Sequence, residues 1–176
     1  MNDLVLQLSE TPDWLASMFT SEVALLVLLG VSVLEGAMML RFMPSELVVP
    51  SALVLIGSSI PEVVAIVAIA VVGTTIGQTI LFVLARRGGR EYLLQKGWIP
   101  INEGRLDRVD GWFDRWGQLA VPVTNTMLFV RGLLTIPAGL SDMPVRRFIV
   151  LSAVGSLSFQ SVLALIYLVA GEVIAL

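Results

Sequence analysis

Five residues could do chemistry within otherwise apolar sequence: Glu35, Arg41, Glu46, Asn125 and Arg131. A lone charge at the centre of a bilayer costs about 2.5 to 3.5 kcal/mol even on the lenient insertion scale, so each charged member needs a partner, water or a proton. A carboxylate carried into low dielectric can exchange its charge for a proton, which makes Glu35 and Glu46 candidates for proton coupling. Arginine stays charged and grips phosphate through paired hydrogen bonds. Arg131 and Arg41, with the amide of Asn125, are therefore candidates for holding a phosphate head group. Each residue also has a plainer use. Glu46, after Pro44 and Ser45, suits the first turn of a helix. Glu35 and Arg41 could pair as a structural ion pair, Arg131 could bond the carbonyls of a bent backbone, and Asn125 could satisfy a broken helix. Gly73, Gly77 and Gly155 fit close helix packing better than ligand binding.

What is missing narrows the chemistry further. The chain has no His and no Cys, so imidazole mechanisms, thiol nucleophiles, thiolate metal sites and disulfides are excluded. With no phosphate-binding glycine loop either, an enzyme is the least favoured reading, and neither a cofactor nor a metal is expected. The net charge of -3 is spread along the chain rather than gathered in a basic block, which gives no reason to expect a nucleic-acid partner.

The elements that must position these residues follow from composition. Of 176 residues, 56% are apolar and 14% charged, against about 25% charged in an ordinary soluble domain. This predicts an all-α integral membrane protein. Residues 63–85 form an uncharged run of 23 and residues 148–171 one of 24. Each makes about 34 to 36 Å of helix against a ~30 Å hydrocarbon core, so both are expected to be transmembrane helices. The other apolar stretches are shorter or broken. Residues 23–34 and 47–60 would reach only about half the membrane as helices, and 119–140 is interrupted by Pro122, Asn125, Arg131 and Pro137. Irregular backbone at membrane depth survives only where protein or a water-filled cavity covers it, which points to re-entrant hairpins. The first is expected over 22–60, turning at 41–45. The second is expected over 119–141, with its tip at 125–131.

Charge tests that layout. If both hairpins return to the side they left, Asp3, Glu10, Asp13, Glu22, Glu62 and Glu172 share one side, which is wholly acidic. The other side receives every basic residue except Arg41 and Arg131, including Arg86, Arg87, Arg90, Arg146 and Arg147. The positive-inside rule then puts 86–118 and 142–147 in the cytoplasm and both termini outside a prokaryotic cell membrane. The start of the chain lacks the basic residues of a secretory signal, so no cleaved peptide is expected. Within the cytoplasmic segment, Leu106, Val109, Trp112, Phe113 and Trp116 recur at helical spacing among charged residues, which predicts an interfacial helix over 103–116. Trp98, Trp112 and Trp116 suit interfacial anchors. The expected organisation is an acidic segment 1–21, one membrane domain over 22–172 with spans at 62–85 and 147–171, and a short end at 173–176. Two oppositely oriented hairpins, each followed by a span, form an inverted repeat of the kind that places a transport site near the midplane.

These residues, in this order, resemble the DedA family, also described as the SNARE-associated or VTT domain family. The resemblance covers about 35–172. It rests on Glu35 followed by Phe42-Met43-Pro44-Ser45-Glu46, and on Gly73 and Gly77 leading to Phe82 and Arg86-Arg87-Gly88-Gly89-Arg90. It continues through Trp112-Phe113, Trp116-Gly117, Arg131, Ile136-Pro137-Ala138-Gly139, Met143-Pro144, Arg146-Arg147-Phe148, Gly155-Ser156 and Gly171-Glu172. The resemblance implies two opposed re-entrant hairpins and movement of a phosphate-headed lipid between leaflets, undecaprenyl phosphate in bacterial members. The family's acidic pair falls on Glu35 and Glu46, and its second-hairpin arginine on Arg131. The chain departs from the pattern at Asn125, where the family has a first arginine, at Leu128, where it has a proline, and at Phe82 and Phe159, where tyrosine and tryptophan are usual. Either Arg41 substitutes electrostatically, or the substrate differs, or coupling is reduced to passive scrambling.

The expected function is thus a lipid flippase or scramblase, with protons as a coupled species and a homodimer compatible with the small area around the site. Two rivals use the same residues. One is a proton-coupled transporter of a small ion or osmolyte. The other is a membrane scaffold whose ion pairs are structural.

Overall fold

A computed structural model describes residues 21–40, 45–56, 59–95, 103–126 and 132–174. Every regular element among them is helical. They are α1 (Ser21–Gly36), α2 (Ser45–Ile56), α3 (Ile60–Gln95), α4 (Glu103–Trp116), a 3-10 turn (Gly117–Leu119), α5 (Ala120–Asn125), α6 (Thr135–Leu140) and α7 (Val145–Ile174). Among the described residues, two stretches are long and apolar enough to cross a membrane, Ile60–Gly89 and Val145–Val169. The helices they belong to, α3 and α7, contain the two uncharged runs. The amphipathic helix forms over Glu103–Trp116, as its spacing predicts.

Local chemistry sets the ends of the long helices. The Glu62 carboxylate accepts the Ser59 backbone N–H at 2.8 Å, and the Ser59 carbonyl accepts the Val63 N–H at 3.0 Å. That is one arm of a capping box, and it gives a structural use to a residue legible in sequence only as an acidic charge. At its far end α3 does not stop where hydropathy stops. The helix runs past Ala85 to Gly89, whose backbone (φ 73°, ψ 177°) only glycine adopts readily, and resumes to Gln95. The expected boundary at residue 85 marks the end of the apolar run; backbone hydrogen bonding carries the helix further.

The end of α1 is closed without glycine. The Met39 N–H bonds the Leu34 carbonyl and the Met38 N–H the Glu35 carbonyl, both at 2.9 Å, with Met38 at φ 58°. This is a Schellman closure with methionine in the left-handed position. A non-glycine residue there costs roughly 1 to 2 kcal/mol, which the packing of Met38 against Leu81, Ala85, Ile136, Leu133 and Leu134 offsets.

Packing divides the molecule by height. At one end Leu28, Val48, Val49, Leu53, Val63, Ile66, Ala70 and Ala164 form a core shared by α1, α2, α3 and α7. At the other, Phe82, Val121, Ala138, Met143 and Phe148 join α3, α5, α6 and α7, and the Phe82 and Phe148 rings stack at 4.3 Å. Arg86 fastens this second end. Its guanidinium donates to the carbonyls of Gly139 (3.3 Å), Ser141 (2.8 Å) and Met143, and lies 4.6 Å over the Phe82 ring. Gly139 and Ser141 stand at the C-terminal end of α6, where carbonyls lack helical donors and a cation is favoured, and Met143 follows in the connection to α7.

Candidate functional site

Between the two apolar cores lies a band of buried polar side chains. On α3 it comprises Thr74, Thr75 and Gln78; on α7, Ser152, Ser156 and Gln160; α1 adds Ser32 and α5 adds Thr124 and Asn125. Along α3 the apolar positions Ile66 and Ala70 precede these residues and Leu81, Phe82 and Ala85 follow them. Among the described residues, then, polarity is concentrated where the two long apolar helices pass each other between the cores.

Gln78 is the centre of the band. Its Nε2 donates to Asn125 Oδ1 at 3.1 Å while Asn125 Nδ2 donates to Gln78 Oε1 at 3.0 Å, a reciprocal amide pair. The Ser152 hydroxyl also donates to Gln78 Oε1. Asn125 Oδ1 accepts a further bond from the Gly132 backbone N–H at 3.2 Å. One amide thereby closes the gap between residues 125 and 132, and a second ties that gap to both long helices. Asn125 and Gln78 are 2% and 1% exposed, so these bonds are made away from solvent, where an unmade one would cost most.

Small residues bring the segments this close. A Cβ at Gly155 would lie 2.6 Å from Asn125 Cβ and 2.8 Å from the Pro122 carbonyl oxygen. A Cβ at Gly73 would lie 2.6 Å from Ser32 Cβ and 2.9 Å from the Leu29 carbonyl oxygen. The expectation that these glycines serve packing is met.

The residues singled out in the sequence fall as follows. Asn125 sits in the band, with both amide atoms engaged, so a head group would have to exchange with Gln78 or Gly132 to reach it. Glu35 is in the last turn of α1, half-buried, next to Gly36, which packs on the Thr74 backbone. Glu46 is in the first turn of α2. Pro50 follows it by four residues and has no N–H, so the helix leaves the Glu46 carbonyl without its usual donor. Arg41 and Arg131 lie outside the described residues, as do 41–44 and 127–131 of the hairpin turns expected at 41–45 and 125–131. Sequence reasoning passed over Gln78, Ser152 and Gln160. Primary amides inside uncharged runs were the available signal. No group of three acidic residues able to hold a metal occurs among the described residues.

Beside the band, Trp112 and Trp116 of α4 line an apolar cavity of about 190 Å³ with Ala120, Val123 and Thr124. Both tryptophans are exposed, as interfacial anchors would be.

The comparisons with known proteins agree with this architecture. The chain is 27% identical over 146 residues to undecaprenyl phosphate transporter A of Bacillus subtilis (strain 168), covering 82% of this chain and 68% of that one. It is 30% identical over 122 residues to undecaprenyl phosphate transporter A of Staphylococcus aureus (strain NCTC 8325 / PS 47), covering 66% and 60%. An uncharacterised membrane protein of B. subtilis, YbfM, matches at 24% identity over 89 residues, covering 50% and 55%. The chain thus spans between about half and two thirds of the length of these relatives. No solved structure matches it. The VTT domain model matches residues 43–172, nearly three quarters of the sequence, and the protein belongs to the VTT domain (DedA) family.

Proposed function

We propose that this protein moves a phosphate-headed lipid, a polyprenyl phosphate foremost, between the leaflets of a bacterial membrane. The observation that carries the reading is the polar band buried between two apolar cores. A soluble cargo would need a continuous polar path, whereas a lipid keeps its tail in the bilayer and needs only a polar crossing for its head group. The printed names of two relatives, undecaprenyl phosphate transporters, support the same substrate class.

On this reading the segments 22–60 and 119–141 are re-entrant and enter from opposite faces, with the Arg-rich segment 86–118 cytoplasmic and the termini outside. The short α1 and α2, and α5 and α6 of six residues each, suit that arrangement. Arg131, next in sequence to Gly132, supplies the charge that holds phosphate, and Arg41 supports it. Asn125 exchanges its bond with Gln78 for one to the head group. Glu35 and Glu46 take up and release a proton as the anion passes, so that little net charge is buried at once.

The test is head-group accessibility of labelled undecaprenyl phosphate and of a phospholipid in sealed proteoliposomes, with and without a proton gradient. Wild type is compared with Glu46→Gln, Glu35→Gln and Arg131→Ala, each checked for folding. Movement of polyprenyl phosphate that folded Arg131→Ala lacks is the expected result. Solute-dependent proton flux without lipid movement would favour an ion or osmolyte transporter. Variants that lose stability alone, around a wild type that moves nothing, would favour a scaffold.

A further inference from the structure

Gln160 is 1% exposed and its Oε1 has no hydrogen-bond partner; Ser32 and Ser156, both fully buried, have unpartnered hydroxyls. These groups, among the buried polar atoms that lack a partner in the described residues, call for a physical account, because buried polar atoms are ordinarily bonded. The account comes from comparing Gln160 with Gln78.

The two glutamines occupy matching places. Each stands five residues after a glycine that receives a crossing segment, Gly73 before Gln78 and Gly155 before Gln160. The two nearest contacts of each glycine correspond. Ser32 Cβ and the Leu29 carbonyl lie over Gly73 as Asn125 Cβ and the Pro122 carbonyl lie over Gly155, three residues apart in both cases. Ser32 is therefore the counterpart of Asn125. Three residues before Gly155 is Ser152, and three before Gly73 is Ala70, so Ala70 is the counterpart of Ser152.

The register of α3 against α7 places these counterparts together. Phe82 stacks on Phe148, and one turn on Gln78 bonds Ser152. Further along, Ile66 and Ala70 share a core with Ala164. Four residues along α3 thus match four back along α7, which brings Thr74 opposite Ser156 and Ala70 opposite Gln160. Gln78 has both its partners. Gln160 has an alanine where the hydroxyl would be and a serine, too short to return an amide bond, where the asparagine would be.

We propose that Gln160, Ser156 and Ser32 form an open hydrogen-bonding half-site for a phosphate monoester, the counterpart of the closed Gln78–Asn125–Ser152 cluster. It rests on the translocase reading and adds a second station for the head group. The two serine hydroxyls donate to phosphate oxygens, and the Gln160 amide oxygen accepts from the P–OH of a singly protonated monoester. These groups are neutral, so they hold an anion less tightly than an arginine does. A station on a transit path has to release its cargo.

The test is ligand-induced thermal stabilisation of the full chain in detergent, titrating undecaprenyl phosphate, undecaprenol or inorganic phosphate into wild type, Gln160→Leu and Ala70→Ser. Ala70→Ser adds the missing hydroxyl and should occupy the Gln160 amide internally. Expected is stabilisation by undecaprenyl phosphate whose half-saturating concentration rises about ten-fold or more in both variants, the equivalent of roughly one lost hydrogen bond to a charged group. The same variant dependence with inorganic phosphate would identify a free phosphate as the occupant instead. Equal stabilisation by undecaprenol would overturn the proposal, because the tail alone would then account for binding. Variants that bind as wild type does would also overturn it and leave an ordered water as the occupant. If Gln160→Leu does not fold, Ala70→Ser decides. Wild type that moves lipid in proteoliposomes while the variants bind normally would refute this half-site and leave the translocase reading intact; wild type that neither binds nor moves lipid would refute both.

Discussion

Replacing Gln78 by leucine tests whether the amide cluster holds the two long helices and residues 120–140 together. The substitution removes three interhelical bonds: two to Asn125 and one from Ser152. Measured bonds of this kind inside membranes average about 0.6 kcal/mol. Ser152 can turn its hydroxyl to the carbonyl one turn back, and Asn125 Oδ1 keeps the Gly132 N–H. Asn125 Nδ2, however, loses its acceptor while buried, at about 1 to 2 kcal/mol. The expected loss is about 3 kcal/mol. Gln160→Leu removes an amide of similar burial whose Oε1 makes no bond, and should cost less than about 1 kcal/mol. The double variant Gln78→Leu/Asn125→Leu should recover at least about 1 to 2 kcal/mol relative to the sum of its single changes, because neither side-chain amide is then left without its partner, while the Gly132 N–H loses its acceptor equally in Asn125→Leu and in the double variant. The assay is equilibrium unfolding in mixed micelles, followed by tryptophan fluorescence, with wild type, Gln78→Leu, Asn125→Leu, Gln160→Leu and the double variant at one lipid ratio. Equal destabilisation by Gln78→Leu and Gln160→Leu would refute the reasoning, since burial alone and not bonding would then set the cost.

Three further outcomes follow from the packing. Gly77→Ala places a Cβ 2.1 Å from the Val33 carbonyl oxygen and should cost about 2 kcal/mol or more, whereas Gly30→Ala meets nothing within 4 Å and should be neutral or slightly stabilising in the same unfolding assay. Arg86→Ala removes the donor to three carbonyls around the end of α6; with the guanidinium partly exposed, the loss should be about 1 to 2 kcal/mol, and Arg86→Lys should fall between, because it keeps the charge but not the fork. Phe148→Ala opens a cavity beside the stacked Phe82 ring and should cost about 3 to 5 kcal/mol, read from the unfolding midpoint at constant m-value.

Much of the helical layout was legible in the sequence because it depends on runs and periods. Uncharged runs of more than 20 residues become the two long helices, and the Trp112, Phe113 and Trp116 spacing becomes α4. The apolar run ends at residue 85 and α3 does not, because hydropathy measures side chains, whereas the helix follows backbone bonds until Gly89 breaks it. The candidate site was legible only in part. Asn125 stood out against a broken apolar run, but its partner Gln78 lies 47 residues away and Ser152, the other partner of Gln78, lies 74 residues from Gln78, a pairing that no local pattern encodes. A single amide barely lowers the mean hydropathy of a long apolar span, so Gln78 and Gln160 were absorbed into the predicted helices. Arg86 was read as a topogenic charge, and its carbonyl partners could be known only once α6 was placed beside α3.

The central claim is that a phosphate head group crosses at the polar band. The most direct measurement is the rate at which labelled undecaprenyl phosphate in sealed vesicles becomes accessible from the opposite leaflet, with wild type compared with Gln78→Leu/Asn125→Leu, whose band has lost the Gln78–Asn125 amide pair, at a temperature where both are folded. The account predicts protein-dependent crossing by wild type and at least a ten-fold slower crossing by the double variant. Equal rates in protein-free and wild-type vesicles, or in wild type and the double variant, would contradict it.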